Sequence, residues 1–258
     1  MVRKNHEKVD KNIEIAIDDS SLYLLKNPFM AFCAGGSQSG KTTDILSWLA
    51  APEQVFEAKF SKITYICGSP HQQSFNNPLL RHITFTDDLE ILHTLEKTEG
   101  GHLVILDDVL QSIADDKNLV KITTQDIHHL NVSIIFLTQT VFYNSPAFRI
   151  AKENTQYWMI KNHQNRSKLK LFASQIGLDV GAFMSAYNYI MHKYRFGGIL
   201  IDLHIKSDIR RLSPFRYGLT KTPSMLISNE DFRINTENGS LKKIGENRYQ
   251  FKPPVFSD

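Results

Sequence analysis

Eight consecutive residues, Gly35-Gly36-Ser37-Gln38-Ser39-Gly40-Lys41-Thr42, follow the spacing G-x-x-x-x-G-K-[ST], and the chemistry of that pattern is phosphate binding. Backbone N–H groups must curl around a β-phosphate, and a side chain at Gly35 or Gly40 would obstruct the curl. Lys41 is placed to reach the β- and γ-phosphates, and the Thr42 hydroxyl to ligate Mg²⁺. Thr43 completes the candidate nucleotide-binding set. A second run, Leu103-Val104-Ile105-Leu106-Asp107-Asp108, sets four apolar residues before two carboxylates. A strand beside the phosphate loop would carry Asp107 to its C-terminal end, where Asp107 holds Mg²⁺ through water. Asp108, one residue on, would polarise the attacking water as a base. The third run is Ser133–Leu137, followed by Thr138-Gln139-Thr140. Gln139, at the end of a neighbouring strand, would sit between the two motifs and contact the γ-phosphate and its water.

These groups need a scaffold that ends several strands at one edge, and the sequence supplies one. From Asn27-Pro28 onward, apolar runs alternate with segments of helical period, the signature of a mainly parallel sheet flanked by helices. Phe29–Ala34, Lys62–Cys67, Leu103–Leu106, Ser133–Leu137, Tyr157–Ile160 and Gly198–Ile201 read as buried strands. Ile45, Leu46 and Leu49 mark the helix that the phosphate loop opens, whose positive N-terminal end faces the anion. Asp87-Asp88 caps an amphipathic helix carrying Leu89, Ile91, Leu92 and Leu95. Ser145-Pro146 starts a helix, as do Asn165, with Gly177 closing it, and Asp179. The expected organisation is a polar arm over 1–26, a P-loop NTPase domain of α/β class over 27–221, and a tail or docking arm over 222–258.

The chain has 258 residues, 41% of them apolar, 22% charged and 10% aromatic. These values exclude collagen-like, coiled-coil and disordered readings. No stretch approaches the roughly 20 apolar residues of a membrane span, and MVRKNHEKVDKNIEIAIDDS lacks the apolar core of a signal peptide. The two cysteines, Cys33 and Cys67, lie inside apolar runs, which points to core positions and a reducing compartment rather than a disulfide framework. Net charge is +3 but uneven: residues 1–148 carry 12 Lys+Arg against 18 Asp+Glu, and residues 149–216 carry 12 against 4. A basic segment of +8 suits a polyanionic partner contacted through phosphates.

Taken together, the three runs resemble the FtsK–HerA superfamily of P-loop ATPases. Within it they look most like the genome-packaging ATPases of poxviruses, other large DNA viruses, Polinton (Maverick) elements and virophages. The resemblance extends over 27–217. His128–Gln139 is similar to the family's sensor strand, Asn154–Asn162 to the strand after it, Gly198–Leu203 to its last strand, and Arg210-Arg211-Leu212 to a following basic turn. The resemblance implies a RecA/ASCE-like fold, ATP and Mg²⁺ as cofactors, and a homo-oligomeric ring, a hexamer or pentamer. It also implies threading of double-stranded DNA into a capsid, contact with capsid vertex proteins, and a place in the host cytoplasm or nucleus or in the virion, with no membrane. Two positions depart from the family: His128-His129 stands where many relatives have Arg-His, and Lys152 where many have Arg.

The set of loop, Asp107, Asp108 and Gln139 contains no arginine. In related motors a neighbouring subunit inserts one, and Arg149, Lys152 and Arg166 are the candidates for that finger. A helicase or other DNA translocase is the alternative within the class. A nucleoside or nucleotide kinase is the alternative outside it, although a kinase needs an acceptor site and an Arg-rich lid. The absence of an N-K-x-D run argues against a GTPase.

Overall fold

A computed structural model describes residues 24–70, 75–109, 112–113, 120–142, 145–178, 180–193 and 196–203, with the strand backbones at 14–16, 210–215, 225–227, 240–245 and 248–252. Its strands are β1 (Glu14–Ala16), β2 (Met30–Ala34), β3 (Lys62–Cys67), β4 (Thr84–Thr86), β5 (His102–Asp107), β6 (Val132–Thr138), β7 (Tyr157–Lys161), β8 (Gly198–Asp202), β9 (Arg210–Phe215), β10 (Met225–Ile227), β11 (Ser240–Gly245) and β12 (Arg248–Lys252). The longer helices are α1 (Lys41–Ala50), α2 (Pro146–Glu153), α3 (Arg166–Gln175) and α4 (Val180–Lys193). No helix among the described residues is long and apolar enough to cross a membrane.

Nine strands form one sheet in the order β10-β9-β8-β7-β2-β6-β5-β3-β4. From β7 to β4 every pairing is parallel, and β8, β9 and β10 extend the sheet in antiparallel fashion. This is the mainly parallel α/β sheet that the alternation predicts. The strand order separates β5, which carries Asp107, from the loop's strand β2 by one strand. β6 lies between them, so the strand ending in Gln139 is the direct neighbour. β1, β12 and β11 form a separate three-stranded antiparallel sheet.

The sequence of β2 explains its central place. Met30, Phe32 and Ala34 pack on one face, while Phe29, Ala31 and Cys33 pack on the other, each with its own buried cluster. Both alternating sets are apolar, so the strand can be covered on both sides. α1 covers one face through Ile45, Trp48 and Leu49. Phe148 of α2, Leu169 and Phe172 of α3, and Phe183 and Tyr187 of α4 cover the other. Across three neighbouring strands the Phe32 ring stacks on Phe136 at 4.6 Å and on Trp158 at 4.8 Å, in the register that pairs Phe32 with both. Such ring pairs contribute about 0.5–1.5 kcal/mol beyond the area they bury. Both cysteines are buried and unbridged, as expected of core positions.

Two local readings change. The helix expected after Asp87-Asp88 is a 3-10 helix, Leu89–Thr94, capped by the Asp88 side chain, which accepts from the Glu90 N–H. Its apolar residues Leu89, Leu92 and Leu95 recur every third position, the period of a 3-10 helix rather than an α-helix. Arg210-Arg211-Leu212, read as a turn, lies in β9. Within the segment 222–258, expected as a tail or docking arm, lie β10, β11 and β12, and Glu14–Ala16 of the expected arm forms β1. The rest of the arm before Leu24, the rest of the tail, and the helix-opening Asp179 lie outside the described residues.

His102 begins β5 fully inside the sheet, with its Nε2 and the Thr64 hydroxyl 2.8 Å apart. Burial, helped by Lys62, lowers its pKa to about 4 from an ordinary 6.5. The unfolded chain therefore takes up a proton near pH 6.5 that the folded chain refuses until about pH 4. Relative to a His102→Gln variant, the protein should lose stability as pH falls through that window, by up to about 3 kcal/mol. Urea midpoints of the two proteins at pH 7.5, 6, 5 and 4 measure it, and parallel curves would contradict it.

Candidate nucleotide site

The phosphate loop leaves β2 and is fastened to both strands beside it. Gly35 N donates to Thr138 O of β6 at 3.0 Å, and Gly36 N donates to Asn162 O after β7 at 2.9 Å. A Cβ on Gly35 would come within 2.5 Å of the Lys161 Cβ and 2.8 Å of the Ser39 Oγ, so no other residue fits there. Gly40 has φ +87 at the turn into α1, a backbone state that costs a side-chain-bearing residue about 1 kcal/mol or more. Gln38 shares the left-handed region at φ +59. The Ser39 hydroxyl is buried in the loop with no hydrogen-bond partner among the described residues.

Lys41 is buried, and its ammonium donates to Gly35 O at 2.9 Å and Gly36 O at 3.1 Å. The cation thus rests inside the curl it would serve, ready to exchange two carbonyls for phosphate oxygens. The Thr42 hydroxyl donates to Asp107 Oδ2 at 3.0 Å. The structure therefore brings the loop and the carboxylate at the end of β5 together across β6. Hydroxyl and carboxylate oxygens beside an anion cradle form a donor set suited to Mg²⁺. Together with the glycine-only position 35 and the unpaired Ser39 hydroxyl, the residues present fit a magnesium–triphosphate group.

Asp107 has a second partner that the sequence did not indicate. The Tyr65 hydroxyl of β3 donates to Asp107 Oδ2 at 2.5 Å. Burial raises the Asp107 pKa above the ordinary carboxylate value, and the hydrogen bonds from Tyr65 and Thr42 oppose that shift. Asp108 is exposed and has φ +54, a left-handed state unusual outside glycine. Its N–H reaches Leu137 O at 3.4 Å, which ties the turn after β5 to β6. Gln139 is exposed at the end of β6. Ser37, Gln38 and Thr43 are exposed around the loop and the first turn of α1.

Beneath the loop lies an ion pair that sequence reading missed. Lys161, the last residue of β7, is fully buried, and its ammonium is paired with Asp44 Oδ2 in the first full turn of α1. The same ammonium donates to the backbone carbonyl of Phe196. Burial raises the Asp44 pKa, and the Lys161 charge opposes it. A lysine closing an apolar run was the only local signal. Nothing in the sequence links positions 117 residues apart.

The finger candidates do not converge on the chain's own loop. Arg149 and Lys152 line a cleft of about 680 Å³ with Thr155 and Leu203, which flank the beginning of β7 and the end of β8. The loop lies at the other end of β7. Arg149 is exposed, while Lys152 sits 4.4 Å over the Phe142 ring with its pKa lowered by burial. Arg166 is exposed, donates to Asn188 Oδ1 and lies 5.0 Å over the Tyr187 ring.

No protein-family model matches the sequence, and no curated protein matches it. Among solved structures, the genome packaging NTPase B204 from Sulfolobus turreted icosahedral virus 2, in complex with sulfate, matches at 11% identity with a TM-score of 0.50. The match covers 76% of this chain and 100% of that one. The chain shares its fold with that protein. The DNA-packaging ATPase B204 from Sulfolobus Turreted Icosahedral Virus matches at 14% identity and a TM-score of 0.45, over 71% of this chain and 96% of that one. The cytoplasmic domain of the Thermomonospora curvata Type VII secretion ATPase EccC matches at 11% and 0.42, over 76% of this chain and 25% of that one.

The buried pair makes a stability prediction. Lys161→Met strands the Asp44 carboxylate and should cost about 3–5 kcal/mol, whereas adding Asp44→Asn should restore most of the loss. Urea unfolding of the wild type, both single variants and the double variant gives the coupling energy, and additive single effects would refute the pairing.

Proposed function

We propose that this chain is an ATPase motor that threads double-stranded DNA into a viral capsid, hydrolysing ATP at sites between subunits of a ring. One observation carries the reading: Thr42 at the end of the phosphate loop and Asp107 at the end of β5 are hydrogen-bonded across the strand that ends in Gln139. A strand ending in a polar side chain between the cradle and the acid is the arrangement that hydrolysis needs, because the attacking water must be held there. The motif resemblance and the fold likeness to the packaging NTPase support the same reading.

In this reading the N–H groups of residues 37, 38 and 40–42 and the Lys41 ammonium hold the β- and γ-phosphates. Thr42 and Asp107 would hold Mg²⁺, which neutralises charge on the phosphate oxygens when bound. Gln139 orients the water. Asp108, set outside the strand by its left-handed backbone, takes the proton as oxygen bonds to the terminal phosphorus and the bond to the bridging oxygen breaks, leaving ADP and phosphate. A neighbouring subunit supplies the remaining cation. Arg149 is the first candidate, since Arg166 is engaged by Asn188 and Tyr187, and Lys152 is half-buried over Phe142.

Lys41→Ala should abolish nucleotide binding and turnover. Asp108→Asn should keep binding and lose hydrolysis, and Gln139→Ala should keep binding and lose stimulation by DNA. Normal turnover by Asp108→Asn would remove the base assignment. Mixing Lys41→Ala protein with Arg149→Ala protein should recover part of the ATPase rate if sites are shared. A full rate from dilute monomer would end the ring reading.

The basic segment supplies the DNA contacts in this reading, and the structure narrows them. Lys161 is buried and paired with Asp44, so it is not among them. α3 exposes Arg166, Lys168 and Lys170 and contains no acidic residue. Lys168→Gln with Lys170→Gln should weaken double-stranded DNA binding whatever the sequence, and reduce the log–log salt slope by about 2. Fluorescence anisotropy over a salt series measures the slope, and an unchanged slope would exclude α3 from the interface.

A further inference from the structure

We propose that Phe196 is the platform on which the nucleotide's base stacks, so that the site takes a nucleoside triphosphate by its phosphates and a ring face, with little regard to which purine it carries. This rests on the nucleotide-binding reading of the phosphate loop and extends it to the other end of the ligand.

Phe196 is 55% exposed, an unusual state for a phenylalanine next to a polar site. It borders the loop directly: a Cβ placed on Gly40 would lie 3.7 Å from the Phe196 Cβ and 3.8 Å from its Cδ1. The position is fixed from below, because the Phe196 carbonyl accepts from the buried Lys161 ammonium, which is itself paired with Asp44 of α1. Phe196 is therefore tied to the same helix whose N-terminus forms the cradle.

The direction of the ligand follows from the two flanks of the loop. Thr42 contacts Asp107, and the exposed residues Asp108 and Gln139 that follow β5 and β6 lie on that flank, so the terminal phosphate belongs there. The ribose and base must then leave on the other flank, toward β7 and the turn before β8, where Phe196 stands. A phenyl ring has no donor or acceptor with which to read a base edge. It offers a face, and every purine has a face to match it. Stacking of a base on an aromatic side chain is worth about 1–3 kcal/mol by alanine substitution.

The test measures binding of ATP, GTP and inorganic tripolyphosphate to the wild type and to Phe196→Ala by calorimetry. ATP and GTP should bind the wild type with similar affinity. Phe196→Ala should weaken both by about 5- to 150-fold and leave tripolyphosphate unchanged. Phe196→Trp should restore affinity, and its added indole emission should be quenched by ATP but not by tripolyphosphate. ATP affinity unchanged in Phe196→Ala overturns the proposal, as does an equal loss for tripolyphosphate, which would make the ring a support for the loop. A variant that keeps its ATP affinity but changes its oligomeric state in sedimentation also overturns it, and assigns the ring to a subunit contact. If the wild type binds tripolyphosphate but discriminates strongly between ATP and GTP, the proposal fails while the phosphate-loop reading stands. If the wild type binds none of the three, both fail.

Discussion

Two backbone amides fix the geometry of the site. Gly35 N and Gly36 N bond to carbonyls at the ends of two different strands, one on each side of β2. A loop hung in this way cannot shift without breaking a buried hydrogen bond, which costs about 1–3 kcal/mol when the group is left unsatisfied. The loop also cannot close tightly without glycine at 35, where the Lys161 Cβ occupies the space a side chain would need. The order β7-β2-β6 is therefore a requirement of the cradle as well as a description of the sheet. It lets one strand contribute Gln139 on one flank and the other contribute Lys161 on the other.

The two flanks handle charge differently. On the β5 side, the Asp107 carboxylate accepts from the Tyr65 and Thr42 hydroxyls, neutral donors that leave its negative charge available to a cation. On the β7 side, Lys161 and Asp44 cancel each other in the interior. Breaking such a pair is costly, although the intact pair contributes little net stability. Its effect is positional: it joins α1, β7 and the turn before β8 at one point. Asp108 is different again, since its left-handed backbone is a local cost of the kind found where a side chain must leave the line of its strand.

Much of this was legible in the sequence. The loop, Asp107 and the ends of six strands follow from apolar runs and glycine spacing, because each signal is local. The 3-10 helix at Leu89–Thr94 was readable in principle from its period of three, but short apolar segments fit either helix type. The strand order was not readable from neighbouring residues, and neither were the partnerships of Tyr65 with Asp107 and of Asp44 with Lys161, because each joins segments distant in the chain. β10, β11 and β12 were missed for another reason. Runs such as Ser240–Gly245 mix lysine with isolated apolar residues, and only pairing with another strand makes them β.

The arrangement of aromatic rings around β2 gives the protein a particular optical character. The chain has two tryptophans. Trp48 on α1 and Trp158 on β7 are each about 1% exposed, on opposite faces of the sheet. Neither indole meets solvent, so ultraviolet emission arises from two apolar environments, one per face. The emission lies toward the blue while both layers are packed and moves to the red when either opens, so that a loss of either layer registers in the same spectrum.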